Sequence, residues 1–275
     1  MFFKTMRASL LLLFTIFLFS SCGEYQKLLK GTDAGKKYTY AESLYVQGKY
    51  KKALKLMEQI VPVYRGKPQA EKLMYMYANT YYNLGDFYLA GYQFERFANS
   101  YPKSDSVELA SYKSAVSYYE LSPRYSLDQK DTYTGLEKLQ VFIDTYPDSE
   151  FRLEANEKVA ELRYKLEKKA IETAKQYLKT GEALGSYTNA IEAFDNFISD
   201  YPGSEFRIEA FFGRFEAEYE LANHSVPSKV NDRLLTALEY YDDFVKYYSD
   251  SDLMTEANEI KEDIESRLTS TEKSS

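Results

Sequence analysis

The sequence predicts an all-α fold, a right-handed solenoid of about five helix pairs with a C-terminal closing helix. Three observations predict it. Four segments align without gaps over 17 residues: 94–110, 139–155, 194–210 and 241–257. Each ends its helix at a Tyr-Pro or Tyr-Ser pair, and a Gly-x-aromatic-x-x-Ala pattern opens the helix at residues 48, 85 and 185. Self-similarity at a period of 20–50 residues is the signature of stacked repeats.

Each slot of the repeat has a physical reason. Phe97, Phe142, Phe197 and Phe244 lie three residues after Phe94, Leu139, Phe194 and Tyr241, which puts both on one helix face. Pro102, Pro147 and Pro202 stop that helix, because a residue before proline avoids the α region. Ser104, Ser149, Ser204 and Ser251 then fit as N-caps of the next helix. Asp105, Glu150, Glu205 and Asp252 follow, where negative charge complements the helix dipole.

The other half of the unit reads Gly48-x-Tyr50-x-x-Ala53, Gly85-x-Phe87-x-x-Ala90 and Gly185-x-Tyr187-x-x-Ala190. A glycine closing one helix and a small residue in the next allow close antiparallel packing. A unit of about 34 residues with these positions resembles the tetratricopeptide repeat. The spacing places helix pairs near 33–64, 67–101, 104–146, 150–201 and 204–248, and a closing helix near 251–267. The third carries an insertion around Ser122 to Lys130 and Gly135 in the usual alanine slot. The fourth opens with a long helix and has an extra Glu182-Ala183-Leu184.

The N-terminus reads as an export signal. Residues 1–21 hold Lys4 and Arg7, an apolar run from Leu10 to Phe19, and Ser20-Ser21 before Cys22. That run is short of the roughly 20 residues that span a bilayer. Leu18-Phe19-Ser20-Ser21-Cys22 resembles the lipobox of bacterial lipoproteins, with Phe19 where smaller residues are commoner. The resemblance implies cleavage before Cys22 and acyl chains on it. It is the only cysteine, so no internal disulfide is available and the core alone must stabilise the fold. The expected organisation is a cleaved signal peptide over 1–21, a lipidated linker over 22–32, repeats one to three over 33–149, repeats four and five with the closing helix over 150–267, and a disordered tail over 268–275.

Without Lys4 and Arg7 the chain has 33 basic against 42 acidic side chains, a charge near −9. Such a balance argues against nucleic acid and against a polybasic membrane surface. Catalytic readings find no support. His224, the single histidine, sits in a loop sequence before Pro227, and neither a Cys/His metal cluster, a catalytic triad nor a phosphate loop can be assembled. No cofactor and no metal are expected, and the chain reads as a binding protein rather than an enzyme.

Repeat proteins bind extended partners on their concave face. Tyr38, Tyr75 and Tyr112 are spaced 37 apart, as are Tyr45, Tyr82 and Tyr119. The two rows are seven residues apart, two helical turns, which predicts a double ladder of rings along the first helices. Tyrosine suits peptide recognition, with a large ring, little side-chain entropy and a hydroxyl that tolerates polar neighbours. Asn79 and Glu42 are polar companions to this peptide-binding set.

The lipobox, the length, five repeats with Phe-x-x-Phe-x-x-x-Tyr-Pro-x-Ser signatures and the third-unit insertion together resemble the BamD family of outer-membrane assembly lipoproteins, over nearly the whole mature chain. The resemblance implies a lipid-anchored outer-membrane protein facing the periplasm. It implies C-terminal repeats docked on periplasmic domains of a barrel-forming subunit, and N-terminal repeats that receive unfolded outer membrane proteins. Two rivals share much of the pattern. One is a tetratricopeptide-repeat lipoprotein scaffolding other cell-envelope proteins. The other is a glycan-binding SusD-like lipoprotein, which the absence of tryptophan disfavours.

Overall fold

A computed structural model describes residues 23–272. The signal segment and Cys22 lie outside them. The described residues are helices joined by short turns: α1 (23–30), α2 (Ala34–Val46), α3 (Tyr50–Tyr64), α4 (Ala70–Asn83), α5 (Phe87–Ser100), α6 (Val107–Glu120), α7 (Lys130–Thr145), α8 (Arg152–Lys179), α9 (Gly181–Leu184), α10 (Tyr187–Asp200), α11 (Arg207–Asn223), α12 (Pro227–Tyr248) and α13 (Met254–Glu272). They pair as expected, α2 with α3, α4 with α5, α6 with α7, and α11 with α12. Among the described residues no helix is long and apolar enough to cross a membrane.

Two compact units divide the chain. Unit 1 holds the described residues up to Ser122 together with Lys130–Val159, and unit 2 holds Pro123–Gln129 and the described residues from Ala160 onward. The insertion predicted in the third repeat is the loop between α6 and α7, and most of it belongs to unit 2. There the Gln129 amide donates to the carbonyls of Arg124, Tyr125 and Leu127.

The repeat residues build the cores. Phe94, Phe97, Phe194, Phe197 and Phe244 are fully buried, as are Ala110, Ala155, Ala210 and Ala257 at the end of each aligned segment. Each signature phenylalanine also meets the tyrosine four residues on, one helical turn away. The ring centroids of Phe97 and Tyr101, Phe142 and Tyr146, Phe197 and Tyr201, and Phe244 and Tyr248 are 5.4, 5.4, 5.0 and 6.0 Å apart. Burying one such ring contributes about 1.5–3 kcal/mol, and an aromatic pair about 0.5–1.5 kcal/mol more. Gly48 and Gly85 stand at φ 70° and 75° where their helices end, a conformation only glycine adopts without strain.

Three expectations need correction. The serines do not cap the helices directly. Ser104, Ser149, Ser204 and Ser251 accept from the backbone N–H two residues on, so each caps a short turn that runs into the helix. Ser104 and Ser149 also donate to Glu71 and Glu108 of the preceding repeat, fastening one pair to the next.

The segment expected as a lipidated linker contains α1. Its Tyr25 is 6% exposed in a core shared with Ala41, Leu44, Ala53 and Leu56, and its hydroxyl donates to the Lys52 carbonyl. The buried Lys37 ammonium donates to Leu29 O at the end of α1 and to Gln59. A cation there complements the helix C-terminus. Finally, α13 continues to Glu272, so 268–272 is helix where a disordered tail was expected.

Candidate recognition face

The six tyrosines stand on α2, α4 and α6, the first helices of the three pairs of unit 1, but the two rows differ in depth. In the first row, Tyr38 packs on Tyr64 at 5.2 Å. Tyr75 meets Phe94 and Phe97 edge-on at 5.8 and 5.5 Å. Tyr112 is 7% exposed, stacked at 4.6 Å on Phe151 and tilted against Phe142. These rings spend much of their surface on the second helices. Tyr112 offers a ligand almost nothing. Its hydroxyl is buried without a well-formed hydrogen bond, while the nearby Glu154 carboxyl is held below its ordinary pKa by that hydroxyl and by Lys158.

The second row carries a polar chain. The Asn79 amide donates to the Tyr45 hydroxyl at 2.5 Å and its carbonyl accepts from the Lys113 ammonium at 2.7 Å. Tyr45, Asn79 and Lys113 are 34 residues apart, one repeat each, so the chain crosses α2, α4 and α6 at one register. Lys113 also lies over the Tyr82 ring at 5.4 Å, and burial pushes its pKa below the ordinary lysine value. One step on, Lys158 sits 4.6 Å over the Tyr119 ring and 3.3 Å from Glu154. Nearer the start of the unit, Glu42 pairs with Lys72.

Lys113, Lys158 and Lys72 escaped the sequence reading because a lysine on an amphipathic helix normally reads as solvated. The spacing from Tyr45 through Asn79 was the signal that could have found Lys113. What results is a face of partly exposed aromatic rings and lysine cations over a buried amide, that of Asn79. Such groups hold a peptide by hydrogen bonds and ring contacts and carry no nucleophile or general base. His224 is far in sequence from this face, at the C-terminal end of α11 against the Tyr187 ring. Among the described residues no group of His, Cys, Asp and Glu could hold a metal ion.

Unit 2 presents a different feature, a cavity of ≈ 780 Å³ between α8, α10, α11 and the turn that precedes α13. Phe194, Phe212 and Gly213 form its apolar part, with Lys175, Lys179, Glu172, Glu209 and Glu216 around them. The Glu216 carboxyl is pushed up to about 6 by burial first and then by Glu256 and Glu220. Close by, Arg214 on α11 forks to Asp195 and Asp243, both at 2.8 Å, with its guanidinium 4.1 Å over Tyr240.

Stacked helix pairs of this kind define a class, the helical-repeat proteins of tetratricopeptide type. Comparison with known proteins narrows it. Residues 31–231 match the family model described as YfiO, outer membrane lipoprotein. The chain belongs to this family, the BamD type. The outer membrane protein assembly factor BamD of Caulobacter vibrioides is 29% identical over 123 residues, 45% of this chain and 39% of that protein. The chain therefore aligns with about two-fifths of that relative's length. The factor of the same name from Rickettsia prowazekii is 23% identical over 181 residues, 66% of this chain and 70% of its own. Among solved structures, the tetratricopeptide-repeat domain of P58(IPK) is similar at 15% identity and a TM-score of 0.39, covering 87% of this chain and 66% of its own. The TPR2AB domain of yeast Sti1 gives 13% and 0.39, covering 84% of this chain and 98% of its own.

Proposed function

We propose that the protein is a non-catalytic lipoprotein subunit of the β-barrel assembly machinery. Acyl chains on Cys22 hold it at the periplasmic face of the outer membrane. Its first three repeats bind unfolded outer membrane proteins, and repeats four and five dock on the periplasmic domains of the barrel-forming subunit. Membership of the family and the likeness to outer membrane protein assembly factors support the setting.

The observation that carries the binding role is the Tyr45–Asn79–Lys113 chain across three consecutive first helices, flanked by Tyr82 and Tyr119. An unfolded barrel strand is extended and exposes backbone carbonyls and aromatic side chains. Lys113 and Asn79 supply donors for the carbonyls, and the ring edges of Tyr45, Tyr75, Tyr82 and Tyr119 supply apolar contact. Tyr38 and Tyr112 then act mainly by holding the helices that present them. Many modest contacts suit a protein that must pass its client on, because affinity is concentrated in no single anchor.

The docking role fits unit 2, where the cavity between α8, α10 and α11 has an apolar floor ringed by charged side chains. The test is affinity purification of the acylated protein from membranes in mild detergent, followed by mass spectrometry. Stoichiometric recovery of a barrel protein with periplasmic repeats is expected. Recovery of cell-wall enzymes in its place would move the protein to the scaffolds, and glycan capture would move it to the saccharide binders.

A further inference from the structure

The chain's negative charge hides a local reversal. Residues 23–55 hold eight lysines against Glu24, Asp33 and Glu42, although the mature chain as a whole is near −9. Of the three acids, Asp33 is paired with Lys36 and Glu42 with Lys72. Lys37 is buried at the end of α1. Lys27, Lys30, Lys49, Lys51, Lys52 and Lys55 are exposed and make no salt bridge among the described residues.

The fold gathers this charge at the end of unit 1 where the chain enters. On α3, Ala53, Leu56, Met57 and Ile60 face the core, which leaves Lys51 and Lys55 on the opposite side and Lys52 at its edge. On α1, Tyr25 and Leu29 face the same core, and Lys27 and Lys30 point away from it. Lys52 lies 5.4 Å over the Tyr25 ring, so the start of α1 is held against the start of α3. Beside them, at the α2–α3 turn, Val46 is 79% exposed. Cys22 precedes Tyr25 by three residues, a reach of roughly 11 Å at full extension. That distance is close to the ~8 Å Debye length at physiological salt, within which a charged surface is felt.

We propose that α1 and the first helix pair form a second membrane contact: their lysines rest on the anionic phospholipid headgroups of the leaflet that takes the acyl chains of Cys22. This rests on the acylation reading for its geometry, since the tether delivers the lysines to the surface. The acyl chains supply the anchorage, and a basic patch beside them adds an electrostatic contact that orients the protein on the surface. An anchor with no flexible spacer also fixes which side of unit 1 meets the bilayer, and so keeps the recognition face in a constant attitude to it.

The experiment uses the full mature chain with Cys22→Ser, which carries no acyl group, and cosedimentation with vesicles. Binding to phosphatidylglycerol-containing vesicles is expected, with little to pure phosphatidylcholine, and added salt should release it. Lys49→Gln, Lys51→Gln and Lys55→Gln together should weaken partitioning on the order of a hundredfold, at roughly fivefold per lysine. The same charge change at Lys103, Lys229 and Lys246 should leave it unaltered, and circular dichroism checks that both variants fold. Equal loss in both variants, binding indifferent to lipid charge, or no vesicle binding would overturn the proposal. Mass spectrometry of the native protein tests acylation separately, so a failure of that reading would be distinguished from a failure of the lysine contact.

Discussion

The two units use one repeat to build two kinds of surface. In unit 1 the first helices carry tyrosines, and the groups left over between them, Tyr45, Asn79 and Lys113, join in a chain whose cation is half-buried and has no carboxylate partner among the described residues. In unit 2 the corresponding helix α11 carries Phe211, Phe212 and Phe215 in the core, and its cation, Arg214, is satisfied twice over by Asp195 and Asp243. A lysine that lacks a counter-charge is open to a partner. An arginine forked between two carboxylates is already committed to holding α10, α11 and α12 together. The comparison therefore separates a face that leaves its cation without a carboxylate from one that spends its cation on cohesion, although both are built on the same kind of helix pair.

The largest effects should come from the cores that the two units share in kind. Phe97→Ala and Phe197→Ala each remove a fully buried ring, and each should cost about 3–5 kcal/mol. Limited proteolysis would show which unit opens. Each substitution should expose its own unit first, and simultaneous opening of both would dissolve the distinction.

Arg214→Met should cost about 1–3 kcal/mol, because Asp195 and Asp243 lose their partner but stay half in water. Lys113→Met should change stability by less than about 1 kcal/mol, since removing a desolvated charge offsets the lost hydrogen bond to Asn79. Urea midpoints would compare them. If Lys113→Met proved the more damaging, the assignment of roles would be reversed.

A pH series sharpens the contrast within unit 2. The folded Glu216 carboxyl titrates near 6 and the unfolded one near the ordinary 4.5. Between those values the folded state binds more protons, so stability should fall by about 1–2 kcal/mol as pH rises from 4.5 through 6. Glu216→Gln should remove that slope. A slope that persisted would point to Glu218, which burial also raises. An effect of similar size to that of Lys113→Met belongs to Tyr45→Phe, which removes one acceptor at the edge of the chain and should cost about 0.5–1 kcal/mol.

Sequence periodicity located the helices well because the signals are local: a proline, a glycine, a ring three residues from another. It failed where burial depends on a neighbour. Tyr25 and Leu29 occupy one face of eight residues, too few to register as amphipathic, and the core that buries them comes from α2 and α3. The 37-residue spacing placed Tyr38 and Tyr112 at equivalent positions but could not give their depth. Phe151, arriving from the next repeat, closes over Tyr112 and not over Tyr38. Lys113 was legible only as a spacing of 34 from Asn79. Net charge concealed a local feature, since a sum over the chain hides six exposed lysines on α1, on α3 and in the turn before α3.

The most direct measurement places a photo-crosslinking amino acid at Tyr82 in unit 1 and, in a second strain, at the equally aromatic Tyr240 in unit 2, and identifies the adducts formed in growing cells. The account predicts unfolded outer membrane proteins at position 82, lost when Lys113→Met and Asn79→Ala are added, and none at position 240. Client adducts at 240 alone, or adducts at 82 that are indifferent to Lys113 and Asn79, would contradict it.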